Sequence, residues 1–480
     1  MTRGIPLVVD LDGTLTPTDT LVESVVRLIR KSPLNLLRLP FWLLKGRAGF
    51  KEAVAMHVSI PPESLPYRRP LLDYLREEKE KGRPLVLATA AHQSIAEGVS
   101  RHLGLFDQVL ASCSDHNLKG SAKLKAIRDN VGETFVYAGD SRADLPIWKS
   151  AEAAILVGVT PEMAAEVRGD TPIEREFPAE RVNLAVWLRA LRVHQWTKNL
   201  LLLVPLLTAF SFLDVSKLLA IGLAFLSFSF AASATYMVND LWDLDHDRAH
   251  PRKCKRPFAS ATLPILRGVM VAGLALVLAC VMALAVSRGF FLMLLLYLVL
   301  TSAYSWVLKA YVLVDVLMLS ILYTLRILAG SVAIGVVTSS WLLAFSAFMF
   351  FSLALIKRCA ELVSLAQRGG HVVRGRDYRV SDLGVLWPLG VGAALSSVVV
   401  FGLFISAPET LSHYAAPQLL WMVAMGLIYW LARLWIKTSR GEMHEDPVIY
   451  AVKDIGSRIA VVYMVAVTLL ARFMPLDLLS

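Results

Sequence analysis

The sequence predicts two architectures in one chain. Residues 1–182 read as a doubly wound parallel α/β domain with a helical cap at about 16–83, and residues 183–480 as an all-α polytopic membrane bundle of about nine transmembrane helices. Three observations carry this. Before about residue 185, short apolar runs end in acidic or hydroxyl residues, the pattern of strands alternating with helices. From about Leu200 onward, apolar runs of membrane-spanning length dominate. Between two of those runs, at 239–257, a ladder of aspartates is followed by a cluster of cations. The chain is 480 residues long and 56% hydrophobic, which is too apolar for a soluble protein of that size.

The first apolar run, 5–9, reads as a buried parallel strand. It delivers Asp10, Asp12, Gly13 and Thr14 at its C-terminal end, where open α/β sheets place their ligands. Residues 84–88 read as a second strand ending at Thr89, 106–111 as a third, and 134–138 as another that ends in Gly139, Asp140 and Ser141, with Asp144 following. Residues 159–182 carry prolines and mixed charge and read as domain edge and linker. An aspartate at a strand end can take a phosphoryl group, splitting the transfer into two easier steps. Such chemistry needs a second acid/base, a lysine for the transferring oxygens and Mg²⁺ on further carboxylates.

These residues resemble the haloacid-dehalogenase (HAD) phosphatase superfamily. D-L-D-G-T at 10–14 matches its first motif, Thr89 its second, Lys123 its third, and G-D-S-R-A-D at 139–144 its fourth. The resemblance implies Asp10 as nucleophile, Asp12 as acid/base, Thr89 and Lys123 on phosphate, and Asp10, Asp140 and Asp144 on Mg²⁺. Lys119 lies near enough in sequence to take the part of Lys123. A degenerate, non-catalytic scaffold is the other reading. The cap contains a basic, Trp-bearing piece, L-L-R-L-P-F-W-L-L-K-G-R; it is either a membrane-surface segment or an ordinary cap helix with solvated cations.

The formal charge is +10, but the basic residues fall in short loops between apolar runs, with no aromatic–basic stripes. This excludes nucleic acid and points to anionic lipid headgroups and phosphorylated substrates. The four cysteines are scattered, make no metal spacing and read as reduced. The first ten residues lack an apolar segment of signal-peptide length, so the N-terminal domain is expected in the cytoplasm.

The apolar runs are 200–213, 217–238, 264–286, 290–307, 312–334, 341–356, 385–406, 417–436 and 458–474. Lys and Arg gather in the loops after the second, sixth and eighth, which the positive-inside rule makes cytoplasmic. In the first of these loops, Asp243 and Asp247 are four apart, and Asn239 and Asp240 precede Asp243 by four and three. On a continuing helix they share a face. Clustered carboxylates at a membrane edge need a cation, and Mg²⁺ suits them because it brings substrate phosphates with it. Arg248, Lys253 and Arg256 would hold the rest of a pyrophosphate. The alternative is a solvated topogenic loop.

A second constellation follows the sixth run: Lys357, Arg358 and Glu361 on one helix face, then Asp377, Tyr378 and Asp382, with Lys309 expected on the same side. Arg192, His194, Gln195, Trp196 and Lys198 stand at a membrane entrance, as an interfacial anchor or as phosphate contacts. Arg326 lies inside an apolar run, with Asp315 as its candidate partner. Glu445, Asp446 and Asp454 read equally as helix caps or site residues.

From about Leu188 to the end the chain resembles the UbiA superfamily of intramembrane prenyltransferases. N-D-x-x-D-x-x-x-D at 239–247 matches its first aspartate-rich motif, and D-Y-R-V-S-D at 377–382 stands where the second is usually D-x-x-x-D. The entrance Q-W-T-K-N-L-L-L-L-V-P-L and the ending H-P-x-K-x-x-R-P look most like the polyprenyl-phosphate phosphoribosyltransferase branch. That implies phosphoribosyl pyrophosphate as the Mg²⁺-bound donor and a polyprenyl phosphate as the nucleophile. The fused phosphatase would then remove the 5-phosphate of the product. Prenyl transfer from a prenyl diphosphate to an aromatic or other small acceptor is a second reading. A non-catalytic lipid-phosphate binder or transporter is a third.

Overall fold

The computed structural model describes residues 4–44, 46–113, 117–179, 182–373, 375–443 and 446–474; Arg374, one of the cations in the loop after the sixth apolar run, and Glu445 lie outside them. The chain folds into two compact units, residues 1–191 with 236–273, and residues 192–235 with 274–480.

The first unit is built on a sheet of β1 (Leu7–Val9), β2 (Leu85–His92), β3 (Gln108–Ser112), β4 (Val136–Gly139), β5 (Ala153–Val157) and β6 (Ile173–Phe177). All neighbours are parallel, in the order β3-β2-β1-β4-β5-β6. Val8 pairs with Val86 on one side and Tyr137 on the other. Side chains alternate across a strand. Leu7 and Val9 therefore join one core with Leu85, Leu87, Val136 and Ile155, and Val8 joins the opposite core with Val86, Tyr137 and Trp148. Helices α1 (Thr20–Lys31), α2 (Leu39–Leu43) and α3 (Gly46–His57) follow β1 and form the cap. Leu28, Phe50 and Val54 make its small core. The remaining helices of the α/β layers include α4 (Arg69–Glu80), α5 (Gln93–Leu103), α6 (Ser121–Asn130) and α7 (Pro161–Asp170).

Four strands lie where the sequence predicts them, to within a few residues. β6 and α7 occupy the stretch read as linker. I-E-R-E-F in β6 is charged because it is the edge strand: Arg175 and Glu176 face out while Phe177 packs under the sheet.

The membrane-length helices are α8 (Val215–Trp242), α10 (Ile265–Val286), α11 (Arg288–Trp306), α12 (Val314–Ile334), α13 (Ser340–Gln367), α14 (Leu383–Ser406), α15 (Leu420–Ser439) and α17 (Ile455–Phe473). Short helices α9 (Leu244–Ala249) and α16 (Pro447–Lys453) sit in the loops. Among the described residues, eight helices are long and apolar enough to cross a membrane. The run at 200–213 is not one of them. It continues a 3₁₀ stretch, Val193–Leu203, into a five-residue helix, Val204–Thr208, and ends at Phe210 with φ 50°. Fourteen residues are too few for a span at 1.5 Å per residue.

In the second unit α12 is the most enclosed helix. Its Gly330 permits a close backbone approach: a Cβ there would stand 2.2 Å from the Leu202 carbonyl oxygen. Arg326 of α12 is buried, with Nε donating to Asn199 Oδ1 at 3.0 Å, Nη2 to the Tyr297 hydroxyl at 3.2 Å and the guanidinium 4.9 Å from that ring. Its expected partner Asp315 pairs with Arg358 instead.

Candidate active sites

The C-terminal ends of β1, β2 and β4 bring the four motifs of the α/β domain together. Asp10 is buried at the end of β1; its backbone N–H donates to Ala138 O at 3.0 Å, and its Oδ1 accepts from Leu11 N–H at 2.8 Å. Lys123 Nζ, from α6, lies 2.9 Å from Asp10 Oδ2 and 3.6 Å from Asp144 Oδ1. It is thus Lys123 rather than Lys119 that the fold sets on Asp10. Asp144 is locked by Ser141, whose backbone N–H and hydroxyl donate to Oδ2 at 3.1 and 3.0 Å. Asp12 accepts from the Thr20 N–H at the start of α1, at 2.9 Å. Thr89 is buried, and its Oγ1 accepts from Ala91 N–H at 3.0 Å.

One oxygen each from Asp10, Asp140 and Asp144 lie within 4.8 Å of one another. Burial raises the Asp10 carboxyl above its usual range, with Asp144 adding to the rise against Lys123. Burial likewise pushes Asp140 up to about 7, helped by Asp10 and Asp144. Asp12 is pushed to about 7 by burial and by Asp19. One lysine does not balance this many carboxylates. A divalent cation with hard oxygen ligands fits the deficit and the donor set.

Tyr137 completes the cluster and was not legible in the sequence. Its hydroxyl accepts from Lys123 Nζ at 3.0 Å and donates to Asp144 Oδ1 at 2.8 Å. The strand period does place it on one face with Gly139, two residues on. Over the cluster opens a cavity of about 660 Å³, whose walls include Leu21, Leu43 and Phe50 of the cap and Pro264 to Leu266 at the start of α10.

Gly13 has φ +79°, and a Cβ there would fall 2.0 Å from Asp140 Oδ2. The Gly13→Ala variant must therefore displace Asp140. A misplacement of that order costs about a hundredfold in rate. We expect phosphate release from a soluble phosphomonoester to fall by that factor while the circular dichroism spectrum is retained. An unchanged rate would separate Asp140 from the chemistry.

The aspartate segment, also in the first unit, is organised around Arg256. Its Nη1 donates to Asp247 Oδ2 at 2.6 Å and to Asp240 Oδ1 at 3.2 Å. Asp240 and Asp247 are buried, and Asn239 and Asp243 half-buried. The helix breaks at Asp243, yet the Asp243 N–H still donates to Asn239 O and the Asp247 N–H to Asp243 O, both at 2.9 Å. Asp240 and Asp247 still meet at one guanidinium across the break. These carboxylates are not drawn as tightly together as the first three: among the described residues no second group of three lies within 4.8 Å. Two buried carboxylates on one guanidinium show that the segment demands a counter-charge. Lys253 is exposed.

Arg248 is engaged elsewhere. It forms a two-pronged pair with Glu23 of α1, Nη2–Oε1 at 2.6 Å and Nη1–Oε2 at 2.9 Å, and donates to Ala259 O and Ser64 O at 3.1 and 3.2 Å. Beside it, Asp245 accepts from Arg27 and, at 3.2 Å, from Arg30 of the same helix.

In the second unit, Lys198 and Lys357 converge on Asp446 Oδ2 at 3.1 and 3.2 Å. Burial alone would raise the Asp446 carboxyl, but the two lysines hold it at about 2. Asp446 also caps α16, accepting from Val448 N–H at 3.1 Å, so capping and charge pairing coexist there. Asp454 is an N-cap, accepting from Ser457 N–H at 2.7 Å and pairing with Arg433. Arg358 is buried between Asp315, at 2.7 Å, and Glu361; Tyr378 donates to Asp315 Oδ1 at 2.9 Å. Arg376, at 3.1 Å from Glu361, joins this network. Asp377 is exposed, with its N–H on Ala310 O at 3.0 Å, and Asp382 Oδ2 accepts from Arg379 N–H at 2.8 Å. Lys309 is half-buried. Trp196 Nε1 donates to Ser233 at 3.0 Å.

A multi-pass membrane transferase joined to a phosphatase-type hydrolase is the class that this fold and these sites define. The chain belongs to the UbiA prenyltransferase family, whose model matches residues 201–452, and residues 7–149 match the haloacid dehalogenase-like hydrolases. It is similar to protein y4nM of Sinorhizobium fredii, at 38% identity over 97% of this chain and 91% of that one. A decaprenyl-phosphate phosphoribosyltransferase of Mycolicibacterium smegmatis is 34% identical over 45% of this chain and 69% of its own length. Among solved structures, a UbiA homologue from Archaeoglobus fulgidus bound to GPP and Mg²⁺ aligns with TM-score 0.45 and 18% identity over 59% of this chain and 99% of that one.

Proposed function

We propose that the membrane part transfers a phosphoribosyl group from phosphoribosyl pyrophosphate to a polyprenyl phosphate, and that the α/β domain then removes the 5-phosphate. Both sites depend on Mg²⁺ and face the cytoplasm. The observation that carries the reading is the pairing of buried Asp240 and Asp247 on one guanidinium, in the same unit as the carboxylate cluster of Asp10, Asp140 and Asp144. The likeness to a decaprenyl-phosphate phosphoribosyltransferase supports the choice of transferred group and acceptor.

In the transfer, an oxygen of the lipid phosphate bonds to C1 of the ribose as the C1–O bond to pyrophosphate breaks. The electron pair leaves with the pyrophosphate. Arg256 and Lys253 are the cations that the aspartate segment offers to phosphate oxygens. In the hydrolysis, an Asp10 oxygen bonds to phosphorus while the ester oxygen leaves with a proton from Asp12. Water, giving a proton back to Asp12, then releases inorganic phosphate and restores Asp10. Lys123 and Thr89 hold the phosphoryl oxygens. Bound among Asp10, Asp140 and Asp144, and among Asn239, Asp240, Asp243 and Asp247, Mg²⁺ supplies the positive charge that phosphate oxygens need.

The test is incubation of the purified protein in nanodiscs with labelled phosphoribosyl pyrophosphate and polyprenyl phosphate. Labelled lipid is expected, lost on chelation and in Asp243→Asn. Consumption of a prenyl diphosphate with a small acceptor, and no labelled lipid, would replace this reading by prenyl transfer. Activity indifferent to chelation and to Asp243→Asn would favour a binder or transporter.

A further inference from the structure

Outside the membrane-length helices, exposed apolar side chains gather along one stretch of the cap, residues 34–44. Leu34, Leu37, Phe41, Leu43 and Leu44 are between 57% and 85% exposed, and Met56 of α3 adds to them. Scattered exposed leucines are ordinary, but so many within eleven residues of chain mark a contact surface. Its origin is local: α2 is a five-residue helix opened by Pro40 that buries none of its residues. Arg38 is exposed within the same strip, the mixture of apolar and cationic groups that suits an anionic bilayer surface.

What covers the strip is indicated by the cavity over the aspartates. Leu43 lines that cavity, and so do Pro264, Ile265 and Leu266. Ile265 is the first residue of α10, a helix of membrane length. The apolar strip, the cavity wall and the start of a membrane helix are therefore adjacent within one unit. A helix that enters hydrocarbon at Ile265 puts the rim of the cavity at the bilayer surface.

We infer that the cap strip seats on the bilayer and that the phosphatase cavity takes its phosphomonoester from the membrane, carried on an apolar lipid. This rests on the phosphatase reading of the α/β domain and adds the surface by which that domain meets a lipid-borne substrate. The phosphate reaches Asp10 and Lys123, and the chain that bears it runs over Leu43 and Leu266 into the lipid. On hydrolysis the ester oxygen stays with the lipid-borne alcohol, protonated by Asp12.

Two measurements on the full chain in nanodiscs containing anionic lipid test this. The first compares hexadecyl phosphate held in the disc with p-nitrophenyl phosphate in solution, for the native chain and for the double variant Leu37→Ser/Phe41→Ser. Burial of two such side chains is worth enough for about a tenfold or greater loss of kcat/KM on hexadecyl phosphate. The rate on p-nitrophenyl phosphate is expected to stay unchanged. Equal loss on both substrates, or none on either, would overturn the inference. The second needs no turnover. A nitrobenzoxadiazole label on Leu37→Cys, with Cys113 and Cys254 replaced by serine, is expected to be quenched by doxyl-labelled lipids. An unquenched label would show the strip in water. A native chain that hydrolyses neither phosphate, with a quenched label, would sink the phosphatase reading and leave the seating in place.

Discussion

Replacing Asp10 by asparagine is expected to abolish phosphate release, by roughly a thousandfold or more, while leaving transfer to the lipid untouched. The amide has no anionic oxygen to bond to phosphorus. It keeps the size of Asp10, so the Leu11 N–H bond and the packing at the end of β1 can persist. Lys123 loses its partner at 2.9 Å but keeps Asp144 and the Tyr137 hydroxyl, so it is not left buried without a counter-charge. The expected product of the variant is a labelled lipid that still carries the 5-phosphate. Thin-layer chromatography before and after treatment with an added phosphatase would reveal it. If Asp10→Asn removed lipid transfer as well, the two reactions would not be separable, and the assignment of Asp10 to phosphate release alone would be wrong.

The cluster around Asp10 was legible because its residues sit at strand ends, where a short apolar run followed by an acid is visible without a structure. The same logic explains what was missed. Tyr137 reads as one more apolar strand residue, and only its hydroxyl, set between Lys123 and Asp144, shows its part. β6 reads as linker because three of its five residues are charged, which an edge strand tolerates. The membrane helices follow from apolar length. The run at 200–213 is too short for that logic, and the chain turns at Phe210 after the five-residue helix Val204–Thr208. In the aspartate segment, periodicity identified the carboxylates, but partner choice is a long-range property. Nothing in the sequence distinguishes Arg256, which pairs with Asp240 and Asp247, from Arg248, which turns to Glu23, 225 residues away. Asp315 and Arg326 share one apolar run, yet Asp315 is taken by Arg358 and Tyr378.

Glu23→Ala is expected to be strongly destabilising, and its effect should reach lipid transfer although Glu23 belongs to the phosphatase cap. The Glu23 side chain is fully buried and that of Arg248 is 8% exposed. Removing the carboxylate strands a guanidinium in a dry site, which costs about 3–5 kcal/mol. Arg248 directly follows Asp247, so a shift in Arg248 moves the carboxylate that Arg256 holds at 2.6 Å. α1 therefore braces the aspartate segment, with Arg27 and Arg30 gripping Asp245 in parallel. Thermal unfolding of Glu23→Ala should begin at a clearly lower temperature, with reduced transfer. The double variant Glu23→Met/Arg248→Met separates bracing from substrate contact. An apolar pair of similar volume often replaces a buried ion pair without loss of stability. Four of the five N–H donors of Arg248 are already engaged by Glu23, Ala259 and Ser64. Stability and transfer should therefore return together in the double variant. Stability returning without transfer would put the guanidinium on the substrate, and the pair with Glu23 would then be a resting arrangement that phosphate displaces.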